Sequence, residues 1–127
     1  MIPATDLRIG NWVLWNGPDH VEKAIIASIS NEEVGFKCGD YGLITELDPI
    51  ILTDDILTAF NFLKHRVTKE DNQVWRRTWT EGAFDLEKIR NYYFGGSCYS
   101  VQVNQVHQLQ NLYYFITKEE LLLRYKL

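Results

Sequence analysis

Four short segments of alternating apolar and polar residues lie within the first fifty residues, and they constrain the fold more than any other feature. Alternation with a period of two is the pattern of a strand that buries one face. In the second segment, Val21, Ile25, Ala27 and Ile29 share such a face. The predicted strands are 11–15, 21–29, 34–38 and 43–47, with a turn at 16–19. Short strands joined by tight turns favour a small, strongly bent sheet, so we expect an SH3-like subregion over residues 1–50.

Two helices are predicted in the rest of the chain. Thr53 can cap a helix that begins at Asp54, since its hydroxyl oxygen can accept from a backbone N–H of the first turn. Asp54 and Asp55 also suit the positive end of the helix dipole. We expect this helix to end near residue 64. A second helix is predicted over residues 104–116, where apolar residues recur at helical spacing. Residues 118–127 fit either a helix or a strand.

Alternation between the two helices predicts a small second sheet. After a polar loop at 68–72, three strands are expected at 73–80, 83–89 and 97–103, although residues 86–93 also fit a short helix. Residues 51–127 would then form an α-βββ-α subregion. The expected architecture is a single α+β domain over residues 1–127, with a small SH3-like N-terminal β-sheet, a helix, a three-stranded antiparallel meander and a C-terminal helix.

The charge balance and the cysteines restrict the function. The formal net charge is −4, whereas non-specific binding to nucleic acid or to anionic lipid requires a basic surface. The N-terminus lacks the features of a signal peptide, and no apolar run is long enough to span a membrane, so we expect a cytoplasmic protein. Cys38 and Cys98 have no zinc-type spacing, which favours two buried thiols, with no metal and no cofactor.

The strand at 73–80 carries a candidate ligand site. Alternation places Trp75, Arg77 and Trp79 on one face. A guanidinium between two indoles can stack on both, and together they could bind a planar anionic ligand of the nucleotide type. The alternative is that the tryptophans cover the sheet while Arg77 extends over them to water.

The second helix carries a candidate partner surface. One side of it presents uncharged polar groups where an exposed helix normally carries Lys and Glu; these residues are Asn104, His107, Gln108 and Asn111. Such groups could bind a partner protein. They could equally donate to and accept from the backbone of the neighbouring sheet, because buried amides need hydrogen-bond partners.

Enzymatic chemistry has little support in the sequence. The three histidines have no metal-binding spacing, and no phosphate-binding glycine motif is present. Cys98 lies nine residues before His107, which makes a Cys–His pair conceivable, but no oxyanion-loop signature accompanies it. We therefore expect a protein without catalytic residues.

Three segments resemble small uncharacterised proteins encoded in bacterial genomes, often in prophages or other mobile regions. Residues 4–13, ATDLRIGNWV, are similar to that group's opening ATDLRIGN. Residues 48–62 are similar to its proline, LTEEWL helix and FGF ending, with Asn61 in place of the glycine. Residues 106–121, VHQLQNLYYFITKEEL, resemble VHQLQNLYFALTGEEL, with Lys118 in place of the glycine. The resemblance implies a shared fold and a mobile-element setting, and it transfers no site residues.

These observations predict a non-enzymatic binding or adaptor module, a prophage or mobile-element accessory protein that contacts a host protein. The contact would use the second helix or an exposed face of the SH3-like sheet. The alternative is a phage anti-defence protein that sequesters a nucleotide-type small molecule on the face that carries Trp75, Arg77 and Trp79.

Overall fold

The computed structural model describes residues 1–96, 100–124 and 127. The chain divides into two compact units, and both combine segments that are distant in sequence. Unit 1 comprises Met1–Ile51 and Gln105–Asn111, and unit 2 comprises Leu52–Asn104 and Leu112–Leu127. The class is α+β, with one antiparallel five-stranded sheet in each unit.

Unit 1 is built around a sheet with the strand order β4-β3-β2-β1-β5. A 3-10 helix at Ala4–Asp6 precedes the sheet, and a second at Ile44–Glu46 connects β4 to β5. The strands are β1 (Trp12–Asn16), β2 (Val21–Ile29), β3 (Glu33–Phe36), β4 (Tyr41–Leu43) and β5 (Leu47–Asp48). The core of this unit contains Ile2, Val13, Trp15, Ala24, Ile26, Val34, Phe36, Ile44 and Leu47.

Two expectations for unit 1 are wrong in detail. The predicted strand at 43–47 is interrupted by a 3-10 helix at Ile44–Glu46. The backbone N–H of Leu47 donates to the oxygen of Ile44, and the carboxylate of Glu46 accepts from the backbone N–H of Leu43 at 2.7 Å. In β2 the buried residues are Ala24 and Ile26, whereas Val21 and Ile29 of the predicted apolar face are exposed. The predicted face has four apolar residues against two on the other, yet the face with two is the buried one, so alternation identified the strand but not its buried side.

Unit 2 contains a short helix and a sheet with the strand order β10-β9-β8-β7-β6. Thr53 caps the helix as predicted, since its hydroxyl oxygen accepts from the N–H of Ile56. The elements are α1 (Asp54–Ala59), β6 (Leu63–Val67), β7 (Gln73–Trp79), β8 (Gly82–Ile89), β9 (Tyr92–Gly95) and β10 (Val101–Gln102).

The predicted number of strands in this unit is wrong: sequential strands pair antiparallel, but the described residues contain five of them rather than three. The first helix ends at Ala59 rather than near residue 64: Asn61 adopts a φ of 67°, and the chain continues as β6. The alternative helix at 86–93 is also wrong, since β8 runs to Ile89 and β9 follows a turn at Arg90. Of the predicted strand at 97–103, residues 97–99 lie outside the described residues.

The second helix, α2, is Val106–Thr117, within two residues of the prediction. Residues 106–111 belong to unit 1 and residues 112–117 to unit 2. Lys118, with a φ of 61°, ends the helix, and residues 118–124 form neither helix nor strand, contrary to expectation. Within the described part of the chain, no helix has the length and apolar character needed to span a membrane.

Candidate functional site

A groove in unit 1 is a candidate binding site. It has a volume of about 240 Å³ and lies along the edge strand β4. Its lining combines aromatic and apolar groups with two carboxylates, from Trp15, Pro18, Glu33, Tyr41, Gly42, Leu43 and Glu46. All seven residues come from β1, the turn after it, β3, β4 and the second 3-10 helix.

Trp15 is held in the groove by close packing against Gly42. A Cβ atom at Gly42 would lie 2.5 Å from the indole Nε1 and 3.0 Å from Cε2. No larger residue fits there without displacing the indole. On another side, the ring of Phe36 lies 4.8 Å from Trp15, centroid to centroid. Trp15 is therefore a fixed, largely buried part of the groove.

The pairing of β3 with β4 brings an acid and an aromatic ring to the same face. Glu33 pairs with Leu43, and Gly35 pairs with Tyr41. Glu33 and Tyr41 are thus diagonal neighbours, whose Cα atoms lie about 7–8 Å apart in such a ladder. Since Gly35 has no side chain, the Tyr41 ring lies close over its backbone. Tyr41 remains 71% exposed and Leu43 46% exposed.

The two carboxylates of the groove have different roles. Oε1 of Glu46 accepts from the backbone N–H of Leu43 at 2.7 Å and from the indole Nε1 of Trp15 at 3.4 Å. Glu46 therefore organises the groove. The side chain of Glu33 is exposed, at the start of β3. Unit 1 as a whole is acidic, with eight Asp and Glu against three Lys and Arg, so the groove lies in a negative environment.

The residues predicted to bind a nucleotide-type ligand are engaged within unit 2. Trp75 is only 4% exposed, and Arg77 does not form the expected ladder with the tryptophans. Instead, Nε of Arg77 donates to the backbone oxygen of Phe60 at 2.9 Å, and its guanidinium lies 5.2 Å from the ring centre of Tyr113. Nη1 also donates to the Tyr113 hydroxyl at 2.5 Å. Trp79 is half-buried at the end of β7.

Two amide side chains of α2, Gln110 and Asn111, hydrogen-bond to other residues of unit 1. Oε1 of Gln110 accepts from the buried N–H of Trp12 at 2.8 Å, and its Nε2 donates to the oxygen of Gly10 at 3.0 Å. Oδ1 of Asn111 accepts from Nδ2 of Asn11 at 2.8 Å and from Nε of Arg8 at 3.2 Å. Of the two alternatives for this stripe, hydrogen bonding to the protein itself is therefore the one that these amides fulfil.

The other predicted partner residues differ in burial. His107 is 1% exposed, so a contact with a partner through its imidazole is excluded in this conformation, and the hypothesis is wrong for this residue. Gln108 is half-buried on α2. Asn104 precedes the helix, and its Oδ1 accepts from the N–H of Tyr93 at 3.4 Å.

Burial governs the titration of His107. It lowers the pKa of the imidazole, and the carboxylate of Asp6 opposes this effect in part. Within the described residues, Nδ1 of His107 has no hydrogen-bond partner. The conceivable partner in a Cys–His pair, Cys98, lies outside the described residues.

A second group of titratable residues joins α1 to the sheet of unit 2. Asp54 accepts from Nζ of Lys88 at 3.0 Å and from the hydroxyl of Tyr93 at 2.6 Å. Burial acts to raise the pKa of Asp54, but these two hydrogen bonds together with the positive charges of Lys88 and Lys64 outweigh it and lower that pKa. Burial and the Asp54 carboxylate together raise the pKa of Tyr93. Lys88 and Tyr93 donate their hydrogen bonds to the same carboxylate, so this cluster has a structural role.

Cys38 is exposed, so the prediction of two buried thiols is wrong for it. Its Sγ donates to Oδ2 of Asp40 at 3.7 Å, and one ligand atom each from Glu22, Cys38 and Asp40 lies within 4.8 Å of the others. These three could approach a metal ion. They lie at the surface and offer only three donors, and structural zinc sites use four.

Comparison with known proteins finds no matching family model, no matching curated protein and no matching solved structure. The groove itself was not predicted residue by residue, although an exposed face of the SH3-like sheet was. The available signal was an aromatic residue, Tyr41, beside two glycines at the edge of a predicted small sheet. Its significance depends on the pairing of β3 with β4, which the sequence alone did not specify.

Proposed function

We propose that the protein is a non-enzymatic binding module that contacts another protein through the groove of unit 1. The observation that carries this proposal is the exposure of Tyr41 and Leu43 in a groove whose lining also includes the fixed indole of Trp15. Aromatic side chains at the rim of a preformed concavity bury large areas on binding and lose little conformational entropy, which is typical of contact surfaces between proteins.

The size of the groove favours a protein over a free small molecule. Sites for drug-sized ligands have volumes of about 300–1,000 Å³. The groove, at about 240 Å³, is smaller. It suits one side chain and its flanking backbone, presented by a larger partner.

The topology of unit 1 supports the SH3-like description. Its five strands follow the order β4-β3-β2-β1-β5, with a 3-10 helix between β4 and β5 and tight connections elsewhere. In this proposal the sheet is a rigid scaffold, and the open edge at β4 is its binding face. The prophage setting, inferred from the resemblance, makes the partner a host protein in the cytoplasm.

The nucleotide-sequestering alternative is not carried forward. It requires Trp75 and Arg77 to present free faces to a ligand, whereas Trp75 is buried and Arg77 binds Phe60 and Tyr113. No observation in unit 2 favours it over the groove.

Affinity capture with matched tyrosine variants tests the proposed function. The full chain is immobilised as wild type, as Tyr41→Ala and as Tyr92→Ala, and bound proteins from the source organism are quantified. Tyr92 is the control because it is half-exposed on β9, outside the groove. The proposal is supported if a partner is retained by wild type and by Tyr92→Ala and its recovery falls at least roughly tenfold with Tyr41→Ala, since a hot-spot aromatic contributes about 2 kcal/mol or more. Equal recovery by Tyr41→Ala contradicts it.

A further inference from the structure

We propose that the groove recognises an arginine side chain of the partner, held between the Tyr41 ring and the Glu33 carboxylate. This inference rests on the proposed function, because it names the chemistry that the binding face selects. It follows from which groups of the groove are already used and which are presented to solvent.

Glu33 and Tyr41 are side chains of the groove that are exposed and can contact an occupant. Glu46 organises Trp15 and Leu43 through its Oε1, and Trp15 is packed against Gly42. Glu33 is exposed, and the Tyr41 ring is mostly in solvent. An occupant must therefore match one negative charge and one aromatic face, next to the apolar side chain of Leu43.

A guanidinium satisfies both requirements at once. It is planar, so it stacks on an aromatic ring, and its fork of N–H donors matches a carboxylate in two parallel hydrogen bonds. The diagonal placement of Glu33 and Tyr41 on paired strands spaces the two groups so that one guanidinium can contact both. The methylene stem of the arginine would lie along Leu43 and Pro18, both in the groove lining.

The charge of unit 1 complements such an occupant. Its eight acidic residues against three basic ones attract a basic segment and repel an acidic one. The same field disfavours nucleic acid and anionic lipid as occupants of this groove. A basic protein segment is therefore the class of ligand that the charges favour.

The test uses two peptides that differ only in whether the third residue ends in a guanidinium or in a neutral urea group. Acetyl-Gly-Gly-Arg-Gly-Gly-amide and its citrulline counterpart are titrated into the full chain, and the amide resonances of Tyr41, Gly42 and Leu43 and the indole resonance of Trp15 are followed by NMR. Citrulline keeps the shape of arginine and removes its charge. Since the ion pair and the cation–π contact at exposed sites contribute modestly, we expect the arginine peptide to bind roughly tenfold more tightly.

Three variants assign the effect to the named groups. Glu33→Gln and Tyr41→Ala should each remove most of the preference for arginine. Glu32→Gln, which makes the same charge change at the preceding residue outside the groove lining, should keep it. All three positions are exposed, so the fold is retained.

The outcomes separate this inference from the proposed function. Equal binding of both peptides, or equal effects of Glu33→Gln and Glu32→Gln, overturns arginine recognition, and so does the absence of groove shifts with either peptide. The protein-binding role is judged separately, by the loss of the captured partner in Tyr41→Ala. A partner lost in Tyr41→Ala together with no arginine preference would retain the function and reject the inference.

Discussion

At the scale of single residues, His107 was predicted to lie on a partner surface, but it is buried. Burial lowers the pKa of its imidazole below the ordinary 6.5. The unfolded chain then takes up this proton at a higher pH than the folded protein does. Protonation therefore favours unfolding, and this contribution to stability is intact above about pH 7 and is lost as the pH falls below about 6.5.

We expect His107→Leu to reduce the dependence of stability on pH. The measurement is the urea midpoint of unfolding at about pH 7.5 and about pH 5.5, where histidine rather than carboxylate titration dominates. The wild type should lose more stability than the variant when the pH is lowered from about 7.5 to about 5.5. This comparison holds whichever of the two proteins is the more stable overall. Equal losses in both proteins would show that His107 is protonated as readily in the folded state as in the unfolded one.

Arg77 is the second residue whose role changes between sequence and structure. A ligand-binding arginine could be removed without loss of stability. Here, Arg77→Ala leaves the Phe60 carbonyl and the Tyr113 hydroxyl without the donor that they have in the folded protein. We expect a decrease of about 1–3 kcal/mol in the free energy of unfolding. Arg66→Ala, on the exposed strand β6, should change it by less than about 0.5 kcal/mol. Similar values for the two variants would argue against a structural role for Arg77.

At the scale of elements, the ends of the two α-helices share one backbone feature. Asn61 follows α1 with a φ of 67°, and Lys118 follows α2 with a φ of 61°. Both are left-handed conformations, which glycine adopts without cost and asparagine tolerates better than lysine does. The lysine at the end of α2 is therefore a strained helix stop.

We expect Lys118→Gly to be more stable than Lys118→Ala by about 1 kcal/mol. Both variants lose the contact between Nζ of Lys118 and the ring of Phe115, 5.1 Å from its centre, so their difference isolates the backbone term. At the other helix end, Asn61→Gly should gain only a few tenths of a kcal/mol over wild type. Chemical unfolding of the variants measures both stability differences. Equal stability of Lys118→Gly and Lys118→Ala would contradict the strain assigned to the backbone of Lys118.

The elements also show what the sequence could and could not predict. Strong local signals located β2, β7, β8 and α2 to within a few residues, because periodicity and turn residues act locally. β6 was missed because its sequence, LKHRV, has exposed residues throughout and follows a helix whose end depends on the φ of Asn61. The groove was missed because it requires the register of β3 with β4, a non-local property. Arg77 was misjudged because its partners, Phe60 and Tyr113, are distant in sequence.

At the scale of the whole molecule, unit 1 is completed by residues that follow it in the chain by more than fifty positions. Residues 105–111 belong to it, and Gln110 satisfies the N–H of Trp12 and the carbonyl of Gly10. Asn111 adds bonds to Arg8 and Asn11. A fragment that ends at residue 51 would leave these groups, including the buried N–H of Trp12, without their partners.

We therefore expect the fragment 1–51 to lack a cooperative thermal transition, because each unpaired buried polar group costs about 1–3 kcal/mol and a small domain has little stability to lose. Since Ile51 and Gln105 form an antiparallel bridge, a linker of about four Gly and Ser residues can join the fragment to residues 105–117. The linked chain should regain cooperative unfolding, followed by tryptophan fluorescence, and the same chain with Gln110→Ala should lose most of the gain. Cooperative folding of the fragment 1–51 alone would show that the sheet is self-sufficient and that the amides of α2 are dispensable for it.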